Sequence, residues 1–174
     1  MRAELVVVRH APVAIRGVCY GRSDVALRLT HEEALAELDL PPTEVVWTSP
    51  APRCRSLARL VAEHLDRPLS EDPRLWEMDF GAWEGVAWDD IDPVALRSWT
   101  ESWETAAPPG GETIAVLEER VAAWEAELDA TRRHLLIAHA GVVRALWVVR
   151  EGLDWPVAMQ REVPYLSPME VDRG

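Results

Sequence analysis

The sequence contains no lysine, so all 18 of its basic residues are arginine, and 30 acidic residues give it a formal net charge of −12. An acidic chain without a local cluster of basic residues repels nucleic acid, so we expect no nucleic-acid partner. It also lacks any apolar run near the roughly 20 residues that a membrane helix needs, and its start is not typical of a secretory signal. The sequence therefore predicts a protein without a membrane partner.

Cysteine is scarce, since only Cys19 and Cys54 occur and they form no CxxC pair. Two cysteines cannot build a disulfide framework, so we expect a reduced, cytoplasmic protein. The length of 174 residues and the hydrophobic fraction of 48% are typical of one globular domain, over residues 1–174. Nothing in the sequence indicates an oligomeric state.

Strand-sized apolar runs alternate with helical patterns along the chain. Strands are predicted at 4–8, 44–48, 68–71 and 134–138, with an edge strand within 163–171. Helices are predicted after Thr30, from 52 to about 65, from 113 to 128 and from 141 to 153, whereas 73–112 is the least regular part. This alternation predicts an α/β layered domain with a largely parallel sheet.

Polar side chains follow three of the predicted strands. Arg9 and His10 come after the first, Arg53 opens the helix after the second, and His139 follows the strand at 134–138. In parallel sheets ligands bind at the carboxyl ends of the strands, so we expect these residues to meet at one edge. Guanidinium groups bind phosphate oxygens and a neutral imidazole can attack phosphorus, so the set indicates phosphoryl chemistry.

Four motifs carry a wider resemblance. They are VRHAP at 8–12, SPAPR at 49–53, LWEMDFGAWEG at 75–85 and HAG at 139–141. In this order and spacing they resemble the histidine phosphatase superfamily, over about residues 5–150. The resemblance implies the phosphoglycerate-mutase-like fold, an α/β/α domain of three layers. More narrowly, GVCYGRSDVAL at 17–27 and PPGGET at 108–113 resemble the alpha-ribazole phosphatase branch, which removes a phosphate during cobalamin biosynthesis.

The resemblance also implies roles for single residues. His10 would be the nucleophile that becomes a phosphohistidine, Arg9 and Arg53 would clamp the phosphate, and His139 would complete the pocket. Glu77 would be the general acid that protonates the leaving alkoxide.

Other residues near these motifs have less defined roles. Glu84 is the rival to Glu77 as general acid, and Asp79 also lies near. The loop of Tyr20, Gly21 and Arg22 would approach the substrate, with Ala140 as a further binding residue.

The resemblance leaves several functions open within the same fold. A small-molecule phosphomonoester is the expected substrate, with alpha-ribazole 5′-phosphate favoured over a broad-specificity activity. A protein phosphohistidine phosphatase, a phosphoglycerate mutase and a non-catalytic phosphoryl-binding protein are the alternatives. A rim formed by 13–24 and 83–112 would select the substrate through some of the residues Trp83, Trp88, Trp99 and Trp103.

No cofactor is expected. His31, His64 and His134 share no spacing that would group metal ligands, and His10 has to be free to attack phosphorus. We therefore predict no metal site.

Overall fold

The structure is a computed structural model that describes residues 3–171. Its strands are β1 (Glu4–Arg9), β2 (Val45–Thr48), β3 (Leu69–Glu71), β4 (Arg133–Ala138) and β5 (Met169–Glu170). They form one sheet in the order β3-β2-β4-β1-β5, in which only β5 runs antiparallel to its neighbour. The predicted, largely parallel sheet is confirmed.

The helices are α1 (His31–Glu37), α2 (Pro52–Leu65), α3 (Pro93–Glu101), α4 (Ile114–Glu125), α5 (Ala140–Glu151) and α6 (Trp155–Gln160). Short 3₁₀ turns lie at 73–75, 81–83 and 88–90. Within residues 3–171, no helix combines the length and the apolar character required to cross a bilayer.

Three elements differ from the sequence prediction. Helix α3 lies inside the stretch expected to be irregular, and its apolar face of Ala95, Leu96 and Trp99 is only partly buried. The six residues of α6 are too few to show a helical period. The predicted edge strand at 163–171 is reduced to β5, because Leu166 has a φ of 52° that interrupts the extended backbone.

The sheet separates two apolar layers. Leu136 and Ala138 of β4 pack with α4, α5 and α6, whereas Leu135 and Ile137 of the same strand pack with α1 and α2. The alternation arises because successive side chains of a strand point to opposite faces. The domain is therefore the three-layer α/β/α arrangement that the resemblance implies.

The parallel register aligns the ends of β1, β2 and β4. Arg9 pairs with Ala138, and Thr48 pairs with Ile137. Just beyond the strands, the amide of His10 donates to the carbonyl of Ala138 at 3.0 Å. The residues that follow these three strands consequently lie side by side at one edge of the sheet.

The 3₁₀ turn at 81–83 closely contacts the turn at 108–111, and this contact fixes the position of the neighbouring residues. Gly81 has a φ of 53°, and a Cβ placed there would lie 2.3 Å from the carbonyl oxygen of Pro109 and 2.4 Å from the amide of Gly111. The amide of Ala82 donates to the same Pro109 carbonyl at 2.8 Å. Only glycine permits this approach, which holds residues 77–84 against the rest of the domain.

Gly81→Ala should therefore destabilise the protein more than a glycine replacement that is strained in φ alone. Gly152 has a φ of 69°, and a Cβ added there would meet no atom of the described chain within 4 Å, so Gly152→Ala is the matched control. We expect a loss of about 1–2 kcal/mol in the free energy of unfolding for Gly152→Ala, and at least twice that for Gly81→Ala. Urea unfolding measures both, and equal losses would contradict the packing argument.

Candidate active site

His10 directly follows β1 and is 2% exposed, in the wall of a cavity at the edge of the sheet. Its Nδ1 lies 2.8 Å from the carbonyl oxygen of Ala11. Because a carbonyl only accepts, Nδ1 carries the proton, and Nε2 keeps its lone pair. Burial and the charge of Arg53 lower the pKa of His10 to about 3. The ring is therefore neutral at physiological pH, as a nucleophile has to be.

His139 lies beside His10, with 5.4 Å between the ring centroids. Its Nδ1 accepts from Arg53 at 3.2 Å, so Nε2 carries the proton and donates to Ser49 Oγ at 2.8 Å. Burial and the Arg53 charge hold the pKa of His139 well below its ordinary value. Cys54 packs against the same ring and is fully buried, which raises the pKa of its thiol.

Arg53 enters the site from the first turn of α2 and is 2% exposed. Its Nη1 donates to the carbonyl of Ser23 at 2.8 Å, and its Nη2 donates to the carbonyl of Gly21. The guanidinium also lies over the ring of Tyr20, 5.5 Å from its centroid. Nε is buried and has no hydrogen-bond partner among the described residues. Arg53 therefore retains donor capacity beside the two imidazoles.

Arg9 is held by the chain near its C-terminal end. It donates to the carbonyl of Val163 and to the hydroxyl of Tyr165, both at 2.9 Å. The guanidinium also lies over the Tyr165 ring, 3.7 Å from its centroid. No sequence pattern predicted Tyr165 as a site residue, because only an isolated β-bridge to Arg9 brings it to this edge of the sheet.

Glu77 lies in the cavity wall, next to the first turn of α5. One carboxylate oxygen accepts from the amide of Met78 and the other from the amide of Gly141, each at 3.0 Å. A Cβ at Gly141 would lie 2.2 Å from the carboxylate, so glycine is what admits Glu77 at the start of α5. Each oxygen thus accepts one amide hydrogen bond and retains a further lone pair.

Glu84, the rival acid, has a different environment. Its carboxylate accepts from the amides of Gly21, Arg22, Ser23 and Phe80 and from the hydroxyl of Ser23. Burial raises the pKa of Glu84, but these hydrogen bonds outweigh burial and leave the pKa below its ordinary value. A carboxylate that accepts so many bonds is held ionised, and Glu84 is absent from the cavity lining.

The residues predicted to bind or approach the substrate have different surroundings in the structure. Tyr20 and Ala140 line the cavity, whereas Gly21 contacts Arg53 through its carbonyl. Arg22 instead pairs with Asp79 at 3.5 Å and with Glu112 at 3.7 Å, and its side chain is 42% exposed.

The cavity next to His10 has a volume of about 620 Å³ and a largely apolar wall. Its aromatic residues are Tyr20, Phe80, Trp88, Trp99, Trp103 and Trp155. Trp83, which we expected as a rim candidate, is instead 7% exposed and packs in a small core with Cys19 and Ile91. Trp155 was not predicted as a rim residue, because no helix was predicted at the position of α6.

Arg144 is a further cavity residue, and the sequence motifs did not predict it. It lies one turn into α5, five residues after His139. Burial lowers the pKa of Arg144, and the nearby charge of Glu77 opposes this effect. The sequence signal for Arg144 was its place in the first turns of the helix that follows His139. With Arg9 it gives the cavity a cationic wall that favours anionic ligands.

Within residues 3–171, no three or more His, Cys, Asp or Glu side chains cluster in a way that could hold a metal ion. The charged groups that face His10 are instead arginines and Glu77. The chemistry available at this edge is therefore that of a neutral imidazole, guanidinium groups and one carboxyl.

Known proteins are similar to this chain in sequence and in fold. The family model of the histidine phosphatase superfamily (branch 1) matches residues 5–173. An adenosylcobalamin/alpha-ribazole phosphatase of Salmonella typhimurium is 34% identical over 111 residues, which cover 60% of this chain and 55% of that enzyme. The match thus spans little more than half of that relative's length.

Solved structures agree with the fold. The alpha-ribazole phosphatase from Shigella flexneri superposes with a TM-score of 0.81 at 26% identity, covering 94% of this chain and 87% of that chain. A mycobacterial glucosyl-3-phosphoglycerate phosphatase superposes with a TM-score of 0.77 at 28% identity, covering 90% of this chain and 84% of that chain. The match from residue 5 to residue 173 contains every motif that ends at this site, and the chain belongs to the histidine phosphatase superfamily, branch 1.

Proposed function

We propose that this chain is a histidine-dependent phosphatase that hydrolyses small-molecule phosphomonoesters through a phosphohistidine on His10. One observation carries the proposal: the hydrogen bond from Nδ1 to the Ala11 carbonyl leaves a neutral Nε2 with a free lone pair in the cavity wall. A neutral imidazole beside two guanidinium groups is suited to attack on a phosphate that those groups hold.

The first step transfers the phosphoryl group to His10. Nε2 attacks phosphorus and the bond from phosphorus to the ester oxygen breaks, while Arg9 and Arg53 stabilise the charge on the phosphoryl oxygens. The Ala11 carbonyl keeps Nδ1 protonated, so it also stabilises the positive charge that develops on the ring.

Glu77 serves the leaving group. In its protonated form it donates a proton to the departing alkoxide, which is a poor leaving group at neutral pH. The resulting carboxylate then accepts a proton from water as that water attacks the phosphohistidine. The phosphorus–nitrogen bond breaks, inorganic phosphate forms, and His10 and Glu77 regain their starting protonation states.

The alcohol part of the substrate would occupy the apolar cavity. Trp88, Trp99, Trp103 and Trp155 line it, and indole faces stack well on flat heteroaromatic groups. We propose alpha-ribazole 5′-phosphate, a nucleoside-like monoester, as the substrate. Two of the proteins similar to this chain are named alpha-ribazole phosphatases, which supports this choice. A third is named for a glucosyl-3-phosphoglycerate, so the test includes aliphatic esters.

We further propose that residues 1–174 form one phosphatase domain and that the protein works in the cytoplasm. The family match from residue 5 to residue 173 and the continuous sheet support a single domain. Cys19 and Cys54 are free and buried, which fits a reducing compartment.

His10→Ala should abolish turnover, because it removes the atom that forms the covalent bond. Rapid mixing with ³²P-labelled substrate followed by quenching should leave label on the wild-type protein in an acid-labile, base-stable form. His64→Ala, a histidine at the far end of α2, is the control and should retain the label. Label that persists on the His10→Ala protein would overturn the assignment of the nucleophile.

Glu77→Gln should impair the hydrolysis of alkyl esters far more than that of aryl esters. A phenolate departs without a proton, whereas an alkoxide needs the one that Glu77 supplies, a contribution of about 10²–10⁴-fold in rate. Steady-state rates with an alkyl phosphate and with para-nitrophenyl phosphate measure the ratio. Equal losses on both esters would assign the proton transfer to a different group.

Alpha-ribazole phosphate should be hydrolysed with a higher kcat/KM than 3-phosphoglycerate or phosphoserine. Trp88→Ala should lower kcat/KM for alpha-ribazole phosphate about tenfold, the scale of one lost aromatic stack, with little effect on phosphoserine. Trp47→Phe, which changes an indole that contacts Trp124 and His134 and does not line the cavity, should alter neither. Aliphatic esters that match or exceed alpha-ribazole phosphate would leave the phosphatase activity standing and reject this substrate.

A further inference from the structure

Arg53 is a buried cation without a direct counter-ion in the described part of the chain. Within residues 3–171, its hydrogen-bond partners are the carbonyls of Gly21 and Ser23 and the imidazole of His139, none of them a carboxylate. An uncompensated buried charge is costly, and a direct salt bridge would compete with phosphate for the same guanidinium. The structure has to compensate this charge by other means.

The loop at 21–23 contacts a cation on one side and an anion on the other. Its carbonyls face Arg53, and its amides face the carboxylate of Glu84. The peptide group that joins Gly21 to Arg22 makes both contacts itself. Its carbonyl accepts from Arg53, and its N–H donates to Glu84 at 3.0 Å. This peptide dipole is aligned with its oxygen toward the cation and its hydrogen toward the anion.

Ser23 strengthens the same arrangement. Its amide and hydroxyl donate to Glu84 at 3.0 and 2.5 Å, while its carbonyl accepts from Arg53 at 2.8 Å. Gly21 is required at the start of the loop, because a Cβ there would lie 1.8 Å from the carbonyl oxygen of Met78. The loop can therefore approach the segment of Glu84 only with glycine at this position.

We propose that Glu84 is a positioning residue, which holds the 21–23 loop so that its carbonyls fix the Arg53 guanidinium beside His10 and His139. Glu84 acts as the counter-ion of Arg53 through one intervening peptide group, so Arg53 stays oriented and keeps donors for the phosphate. This role deepens the proposed phosphatase function and rests on it for its effect on catalysis. It assigns Glu84 no proton transfer.

A double-mutant cycle tests the coupling. Glu84→Gln keeps the shape of the side chain but removes its charge and places an amide donor against donating N–H groups. We expect kcat/KM for para-nitrophenyl phosphate to fall about tenfold, with a higher KM, in the wild-type background. In the Arg53→Ala background the same change should cost less than about twofold, because the residue that Glu84 positions is already gone.

Asp72→Asn is the matched control. Asp72 is another partly buried carboxylate that accepts several bonds, from Arg74, and it does not contact the 21–23 loop. The Asp72→Asn substitution should lower Tm without changing kcat/KM in either the wild-type or the Arg53→Ala background. Losses for Glu84→Gln that are the same in both backgrounds would show a general structural role and overturn the proposal.

Two further measurements keep the outcome decisive. Calorimetry with inorganic phosphate should show weaker binding to Glu84→Gln than to wild type and Asp72→Asn, and this comparison holds even if wild type hydrolyses no phosphomonoester. A wild-type protein that binds phosphate without turnover would reject the proposed function alone.

If Glu84→Gln does not fold, Ser23→Ala replaces it in the double-mutant cycle, and additive losses there overturn the proposal.

Discussion

The buried guanidinium of Arg53 is the group on which the rest of the site depends. Burial, together with the charge of Arg53, lowers the pKa of both imidazoles and keeps them neutral. The hydrogen bond that Arg53 donates to Nδ1 of His139 also defines the tautomer of that ring. Burial makes this charge effective, because few solvent dipoles are present to screen it. The same burial requires that carbonyl groups surround the cation, and the chain supplies two of them from the 21–23 loop.

Close backbone approaches build this arrangement. At Gly21, Gly81 and Gly141 a Cβ would lie 1.8, 2.3 and 2.2 Å, respectively, from an atom of another segment. Gly141 admits Glu77 to the start of α5, and Gly81 fixes the segment that carries both Glu77 and Glu84. A methyl group at any of these glycines would therefore displace a segment that carries part of the site.

Strong local patterns made much of the fold predictable. The β-branched run at 4–8 and the Thr30 capping box both correspond to elements of the structure, because periodicity and capping act over a few residues. Helix α3 was missed because it has no fully buried stripe, and β5 is short because Leu166 turns the chain. These features depend on neighbours that are distant in sequence.

The sequence by itself determined where the strands end. It thereby determined that His10, Arg53 and His139 meet, because the carboxyl ends of parallel strands lie at one edge of the sheet. It could not separate Glu77 from Glu84, since both are glutamates of one motif. Only the tertiary structure gives them different surroundings, since it places Glu77 in the cavity and surrounds Glu84 with amides from the distant 21–23 loop. Hydrogen bonds between distant segments, rather than residue type, thus separate the environments of two identical side chains.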